Sequence, residues 1–336
     1  MSRRTWQRIR ACACAVAISV ILVPAHAQTI VKLGTVAPEQ SVWHDALLRI
    51  SQAWRDISGG QVELRIYAGG VLGGEDEMVR KMQRRGLDAL AISSAGLPLI
   101  DEIVSCLSLP MLFDSYDELA RVRQAVAPEI EAVLERRGYK VLGWAEAGWV
   151  HFFAKEPVRV PGDLRRQRLW TSTGAPEHEA LLNQFGFRVV ALPVPDMLTG
   201  LQTGLIDAID VPPLFALADR SYQSASYMTD LQFAPLNSAV VINLSVWERL
   251  PAAQHAAFLD AVTNAISELR TQTHTAEQQA IEEMAARGLN LVELTSAEVA
   301  EWQALAQSVY PELACSREHP ELFERIIALH GHRSTR

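Results

Sequence analysis

Four glycines in six positions, "GGVLGG" at 69–74, lie between an alternating run, "QVELRIY" (61–67), and a run with helical spacing, "EMVRKMQRR" (77–85). A glycine-rich turn between a strand and a helix is where nucleotide-binding proteins hold phosphate on backbone N–H groups. The dinucleotide fingerprint needs glycines at n, n+2 and n+5, and counted from Gly69 the middle position is Val71. A P-loop needs Gly-Lys-Ser/Thr, but Gly74 is followed by Glu75, Asp76 and Glu77. Three acids in a first helical turn suit the helix dipole and repel phosphate. The glycine turn is therefore expected to be structural, and the three acids to serve only the helix start. Catalytic patterns are weak elsewhere. "ISSAG" (92–96) is not Gly-x-Ser-x-Gly. Glu146 and His151 read as exposed strand residues rather than an acid–base pair. The histidines form no cluster with cysteine, and "HGH" (330–332) is a weak pair in a tail. The chain reads as a non-enzyme with no metal and no cofactor.

The N-terminus carries Arg3, Arg4, Arg8 and Arg10, then an apolar run over 11–25, then "AHA". That order is a secretory signal peptide, residues 1–27, cleaved after Ala27. The apolar run is too short to span a bilayer comfortably. What remains has 27 basic against 39 acidic side chains, a net charge of −12. This argues against nucleic acid and anionic lipid as partners. The mature chain is expected to be periplasmic, not membrane-spanning and monomeric. Its 309 residues exceed one comfortable core, so two domains are expected. Cys106 and Cys315 stay in the mature chain, 209 positions apart. In an oxidising compartment they either pair or remain two buried thiols.

Alternation predicts strands at 30–36, 61–67 and 87–93. Between them come a helix from Ser41 to the glycines at 59–60, with a stripe from Trp43 to Ile57, and the helix after the glycine turn. This is a β-α-β-α-β series, so a parallel sheet is expected. "LSLPMLF" (107–113) reads as extended and 116–137 as helix. "YKVLGWAEAGWVHFFAKEP" (139–157) reads as one or two crossing strands interrupted at Gly148. A second βα series follows, with helices at 176–185 and 195–203 and strands at 188–192 and 205–211. "NSAVVINLSVW" (237–247) reads as a strand returning to the first domain. The helical stretch 251–287 would span about 55 Å, longer than one small domain.

Several segments carry a family resemblance in order and spacing: "KLGTVAPEQSVWHDAL", "GGQVELRIYAGGVLGGEDEMVRKMQRRGLDAL", "LSLPMLF", "GLQTGLIDAIDVPP" and "VWERLPAAQ". Together they resemble the DctP-like solute-binding subunit of TRAP (tripartite ATP-independent periplasmic) transporters, over nearly all of 30–335. The resemblance implies an α/β, periplasmic-binding-protein-like fold of two domains, with a ligand cleft between them and a long domain-spanning helix. Domain I is expected at 28–148 with the returning segment 237–265. Domain II is expected at 149–236 with the C-terminal helices 266–336. The implied function is hinge closure around a small-molecule ligand, an organic acid or related solute, and its delivery to membrane permease subunits driven by an ion gradient. The alternatives are an exported α/β enzyme, or the same fold as a carrier or sensor without a permease.

The family holds its ligand carboxylate with an arginine on the first strand of domain II, in the pattern Asp-Leu-Lys-Gly-Leu-Lys-Ile-Arg. This chain reads Asp163-Leu164-Arg165-Arg166-Gln167-Arg168-Leu169-Trp170, which puts Trp170 at the arginine position. Indole offers one N–H and an apolar face, where guanidinium offers a bidentate fork. Arg168, two residues earlier on the same strand face, is the candidate replacement. Other candidates come from the C-terminal ends of strands, where open α/β sheets bind ligands. These are Trp43, Ser93 and Ser94 in domain I and Trp149 at the crossing. In domain II they are Asp210, Pro212, Leu214 and Phe215, with Asn237 near the return. Trp43 could instead belong to the core face of its helix, and Asp210 could cap the helix after Pro212. The tryptophans favour a monocarboxylate or neutral ligand with an apolar or aromatic part.

Overall fold

A computed structural model describes residues 28–173 and 176–331, so the expected signal segment and its cleavage point lie outside the described residues. The first half of the chain runs β1 (Thr29–Thr35), α1 (Val42–Ile57), β2 (Val62–Tyr67), α2 (Glu75–Gln83), β3 (Ala89–Ser93), α3 (Tyr116–Arg136) and β4 (Tyr139–Ala154). Then come α4 (Pro161–Leu164), β5 (Arg168–Ser172), α5 (Pro176–Gln184), β6 (Arg188–Leu192), α6 (Met197–Thr203), β7 (Ala208–Val211), α7 (Pro213–Ala218) and β8 (Tyr227–Thr229). The chain ends with β9 (Ala234–Asn243), α8 (Leu244–Trp247), α9 (His255–Ala286), β10 (Asn290–Val292), α10 (Ser296–Val309), α11 (Ala314–Glu318) and α12 (Pro320–Gly331).

The sheet order is β2-β1-β3-β9-β4-β7-β5-β6. Strands β1, β2 and β3 are parallel, as are β5, β6 and β7, and each trio forms the sheet of one lobe. The long strand β4 joins the lobes. It pairs antiparallel with β9 from Tyr139↔Asn243 to Val150↔Ala234, and with β7 from His151↔Val211 to Ala154↔Ala208. The β4–β9 register shifts between Val141 and Gly143 and again between Glu146 and Gly148. At the second bulge Gly148 has φ +127°, and a Cβ there would lie 2.7 Å from Glu277 Oε1 and 2.8 Å from Pro212 Cβ. The interruption expected at Gly148 is therefore a bulge inside one strand, where no side chain fits.

Local sequence explains the elements that reach the cleft. In α1, the Ser41 hydroxyl accepts from His44 N, and Ala46, Leu47, Ile50 and Trp54 form the buried stripe. The Trp54 Nε1 donates to Phe258 O (3.1 Å), pinning α1 to α9. Helix α9 has 32 residues, about 48 Å at 1.5 Å each. Its Phe258, Val262 and Ala265 belong to the first-lobe core, and its Met284 to the second. The domain-spanning helix is thus present. The stretch 107–113 differs from the expected extended run: a 3-10 turn covers 102–107 and Met111 has φ +55°.

The segment 266–336, expected as a block in the second domain, is divided. Trp302 packs in the second-lobe core with Phe152 and Phe187. Cys315, Leu322 and Ile326 pack in the first-lobe core with Val104 and Leu134. A disulfide between Cys106 and Cys315 fixes this return, with Cα atoms 5.0 Å apart. Among the described residues no helix is long and apolar enough to cross a membrane.

Candidate functional site

A cavity of about 800 Å³ lies where the two lobes face each other across the crossing strands. The first lobe contributes the ends of β1 and β3 and the start of α1, including Thr35, Trp43, Ser93 and Ser94. The second lobe contributes the ends of β5 and β7, including Trp170, Thr171, Asp210 and Phe215. Ala145, Ala147 and Val150 of β4 and Leu236 and Ser238 of β9 form the floor. This is the carboxyl-end geometry that open α/β sheets use for ligands.

The glycine turn ends just before Glu75, which lines the cavity. Its N–H groups are already used: Gly69 N donates to Ala37 O (2.8 Å), Gly70 N to Thr35 O (3.0 Å) and Gly73 N to Gly70 O (2.8 Å). Those donors are not aimed at an anion, which agrees with a structural turn. Gly70 has φ +68°, and a Cβ on it would lie 2.6 Å from Pro195 Cγ of the second lobe. Thr173 of the second lobe donates from Oγ1 to Asp76 Oδ1 (3.2 Å). The turn is thus a contact surface between lobes.

The three acids after it do not share one role, which corrects the sequence expectation. Glu75, 1% exposed, accepts from Ser93 N (2.7 Å) and Ser93 Oγ (2.8 Å) and lines the cavity. Burial pushes its carboxyl up, and the two Ser93 donors pull it back. Asp76 accepts from Arg80 (2.7 Å) besides its bond from Thr173. Only Glu77 is an exposed acid of the first turn, paired with Lys81 at 2.8 Å.

Of the eleven sequence candidates, seven line the cavity: Trp43, Ser93, Ser94, Trp170, Asp210, Pro212 and Phe215. Trp43 is half-buried against Ala46, Ala145 and Leu269, so it serves core and wall together. Its Nε1 is buried without a partner among the described residues. Trp170 is 7% exposed, and its Nε1 donates to Leu192 O (3.0 Å), so the indole presents only its ring. Asp210 keeps some opening to solvent, does not cap α7, and has no side-chain partner from another described residue. Desolvation pushes its carboxyl up to about 7.

Four candidates are corrected. Arg168 is exposed and grips Asp207 with two bonds, Nε to Oδ2 (2.7 Å) and Nη2 to Oδ1 (2.8 Å), away from the cavity. Trp149, 1% exposed, packs in the first-lobe core against Tyr116, ring centroids 5.6 Å apart. Asn237 is fully buried, donating to Leu107 O (2.7 Å) and accepting from Arg123 (3.3 Å). Leu214 does not reach the cavity wall. Glu146 and His151, expected to be exposed, are buried at 2% and 4%. Glu146 pairs with Arg123 (2.5 Å), and His151 Nδ1 lies 3.2 Å from Thr229 O, its charged form disfavoured by burial.

Sequence reasoning missed Glu75, Thr171 and Phe233 as wall residues. The signal for Glu75 was present, because the first residue of α2 follows the C-terminal end of β2. No group of three or more metal-ligating side chains occurs among the described residues.

A family model, "bacterial extracellular solute-binding protein, family 7" (DctP), matches residues 33–316. A solute-binding protein of Verminephrobacter eiseniae is 25% identical over 272 residues, covering 80% of this chain and 81% of that one. The C4-dicarboxylate-binding periplasmic protein DctP of Rhodobacter capsulatus is 25% identical over 307 residues, covering 89% of this chain and 91% of that one. Among solved structures, a TRAP periplasmic solute-binding protein of Shewanella oneidensis with bound succinate superposes with a TM-score of 0.84. It is 19% identical, and the match covers 90% of this chain and 100% of that one.

Proposed function

The chain belongs to the family of bacterial extracellular solute-binding proteins, family 7, and on that premise we propose that it captures one small organic solute by closing its two lobes and presents it to the membrane subunits of a TRAP transporter. The observation that carries this reading is the cavity between two α/β lobes joined by β4, β9 and α9. The chain crosses between the lobes four times, at β4, β9, α9 and the link from α10 to α11, which allows a hinge, and the residues that cover a ligand come from both lobes. Export through residues 1–27, with Gln28 as the mature N-terminus, fits the same reading.

The polar network under the floor suits such a hinge. Glu277 of α9 accepts from Tyr116 Oη (2.5 Å) and from Trp149 N (2.8 Å) at the Gly148 bulge. Burial raises both the Glu277 and the Tyr116 proton affinities. This holds α9, α3 and β4 in one arrangement beside the crossing.

The test is to purify the protein from the periplasm, denature it, identify the released molecule by mass spectrometry, and add that molecule back. Closure is expected to reduce the radius of gyration in small-angle scattering and to change tryptophan fluorescence. Release of no small molecule, with no change on adding periplasmic extract, would sink the proposal.

A further inference from the structure

An arginine clamps a carboxylate because guanidinium supplies charge and two parallel N–H donors. The described lining offers the reverse: four carboxyl side chains, Glu75, Glu102, Asp210 and Glu312, against one guanidinium, Arg317, exposed on α11. The other arginines near the cleft are committed. Arg168 is closed on Asp207, and Arg123 is bound to Glu146 and Asn237. A ligand carboxylate placed against β7 would therefore meet Asp210 without a compensating cation, a costly arrangement in a desolvated cleft.

Asp210 has the opposite need. Glu75, on the facing wall, is satisfied by Ser93, whereas the Asp210 carboxyl receives no bond from another described residue. The cavity lining it shares also holds the aromatic rings of Trp43, Trp170, Phe215 and Phe233. Aromatic faces attract cations as well as covering apolar surface. We propose that the solute is a protonated amine with a flat apolar body, its ammonium group pairing with Asp210 and its body covered by the aromatic rings of the cleft. This inference rests on the solute-binding reading and narrows it.

The test uses matched probes on three bodies. The amines are phenethylamine, tryptamine and 2-cyclohexylethylamine. The acids are 3-phenylpropionate, indole-3-acetate, cyclohexylacetate and succinate. Binding is followed by scanning fluorimetry and tryptophan-fluorescence titration at pH 5.5 and pH 8. Because the Asp210 carboxyl titrates at about 7, an ammonium should bind better at the higher pH, by about tenfold or more. Amines are expected to bind and acids not to. Asp210→Asn should weaken amine binding by about tenfold or more and remove the pH dependence. Asp210→Glu should keep the preference for amines, and the unliganded melting temperature at pH 5.5 checks that each variant folds.

Binding confined to the acids, or amine binding indifferent to Asp210→Asn, overturns the inference while leaving the solute-binding reading intact. If no probe binds, the molecule released from the periplasmic protein decides: an amine upholds the inference and any other compound overturns it. If nothing binds and nothing is released, both readings fall.

Discussion

On the first-lobe wall of the cleft, Glu75 stands at the start of α2 with both carboxyl oxygens taken by Ser93. On the second-lobe wall, Asp210 stands on β7 with neither taken by another described residue. Both carboxyls are raised by burial, but the first is part of the scaffold and the second is available. A wall whose polar groups are satisfied internally keeps its shape with or without ligand. A wall that leaves one group unsatisfied depends on what enters. On the proposed reading, the first lobe provides the rigid surface and the second provides the discrimination.

The largest expected effect tests the second-lobe wall as packing. Trp170→Ala removes a ring that belongs to the second-lobe core and should cost about 3–5 kcal/mol of stability. Urea denaturation measures it, and a loss under about 1 kcal/mol would show that the ring is wall only. Next comes the first-lobe wall. Glu75→Ala strands the Ser93 N–H and hydroxyl and should cost about 2–3 kcal/mol. If the variant melts like the parent, Glu75 is not scaffold and the contrast collapses.

A third change tests Asp210 through pH. Its folded carboxyl titrates at about 7, above the ordinary aspartate value of about 4. Folded protein then binds that proton more tightly than unfolded chain, so the stabilisation is complete below about pH 4 and is lost as pH rises to about 7. Asp210→Asn should therefore match the parent near pH 4 and melt higher than the parent at pH 8. The same or a lower melting point at pH 8 would mean that Asp210 has a partner when ionised. The smallest effect is expected at Glu77, exposed and paired with Lys81. Glu77→Gln should cost about 0.3–0.5 kcal/mol in thermal denaturation and leave binding alone. A large loss of binding there would move the site onto the glycine turn.

Much of the fold was legible because its signals are local. The stripe from Ala46 to Trp54 and the Ser41 cap define α1 without tertiary help. Strand order alone could place β5 beside the cleft, and Trp170 does line the cavity. One failure has its cause in strand phase. Side chains alternate along a strand, and a one-residue shift turns each to the other face. The bulge between Glu146 and Gly148 makes that shift, so Ala147 and Val150 line the cavity and Trp149 does not. Asn237 is kept out differently, its buried side chain held by Leu107 O and Arg123. Arg168 was on the expected strand but at its far end, where Asp207 is within reach. The return of α11 and α12 to the first lobe, and the choice between paired and free cysteines, depended on contacts 209 positions apart that no local pattern encodes.

The bond between Cys106 and Cys315 closes a covalent ring around everything from 107 to 314, and both hinge strands, helix α9 and the whole second-lobe core lie inside it. A peptide bond cut anywhere within that ring opens the ring but severs nothing from it. A nicked molecule would run as one band on a non-reducing gel and as two after reduction. Cutting the chain in the hinge would leave both halves of the cleft tethered and able to re-dock at first-order rates, with no fragment to lose by dilution. The ring means that a single cleavage inside it releases no fragment.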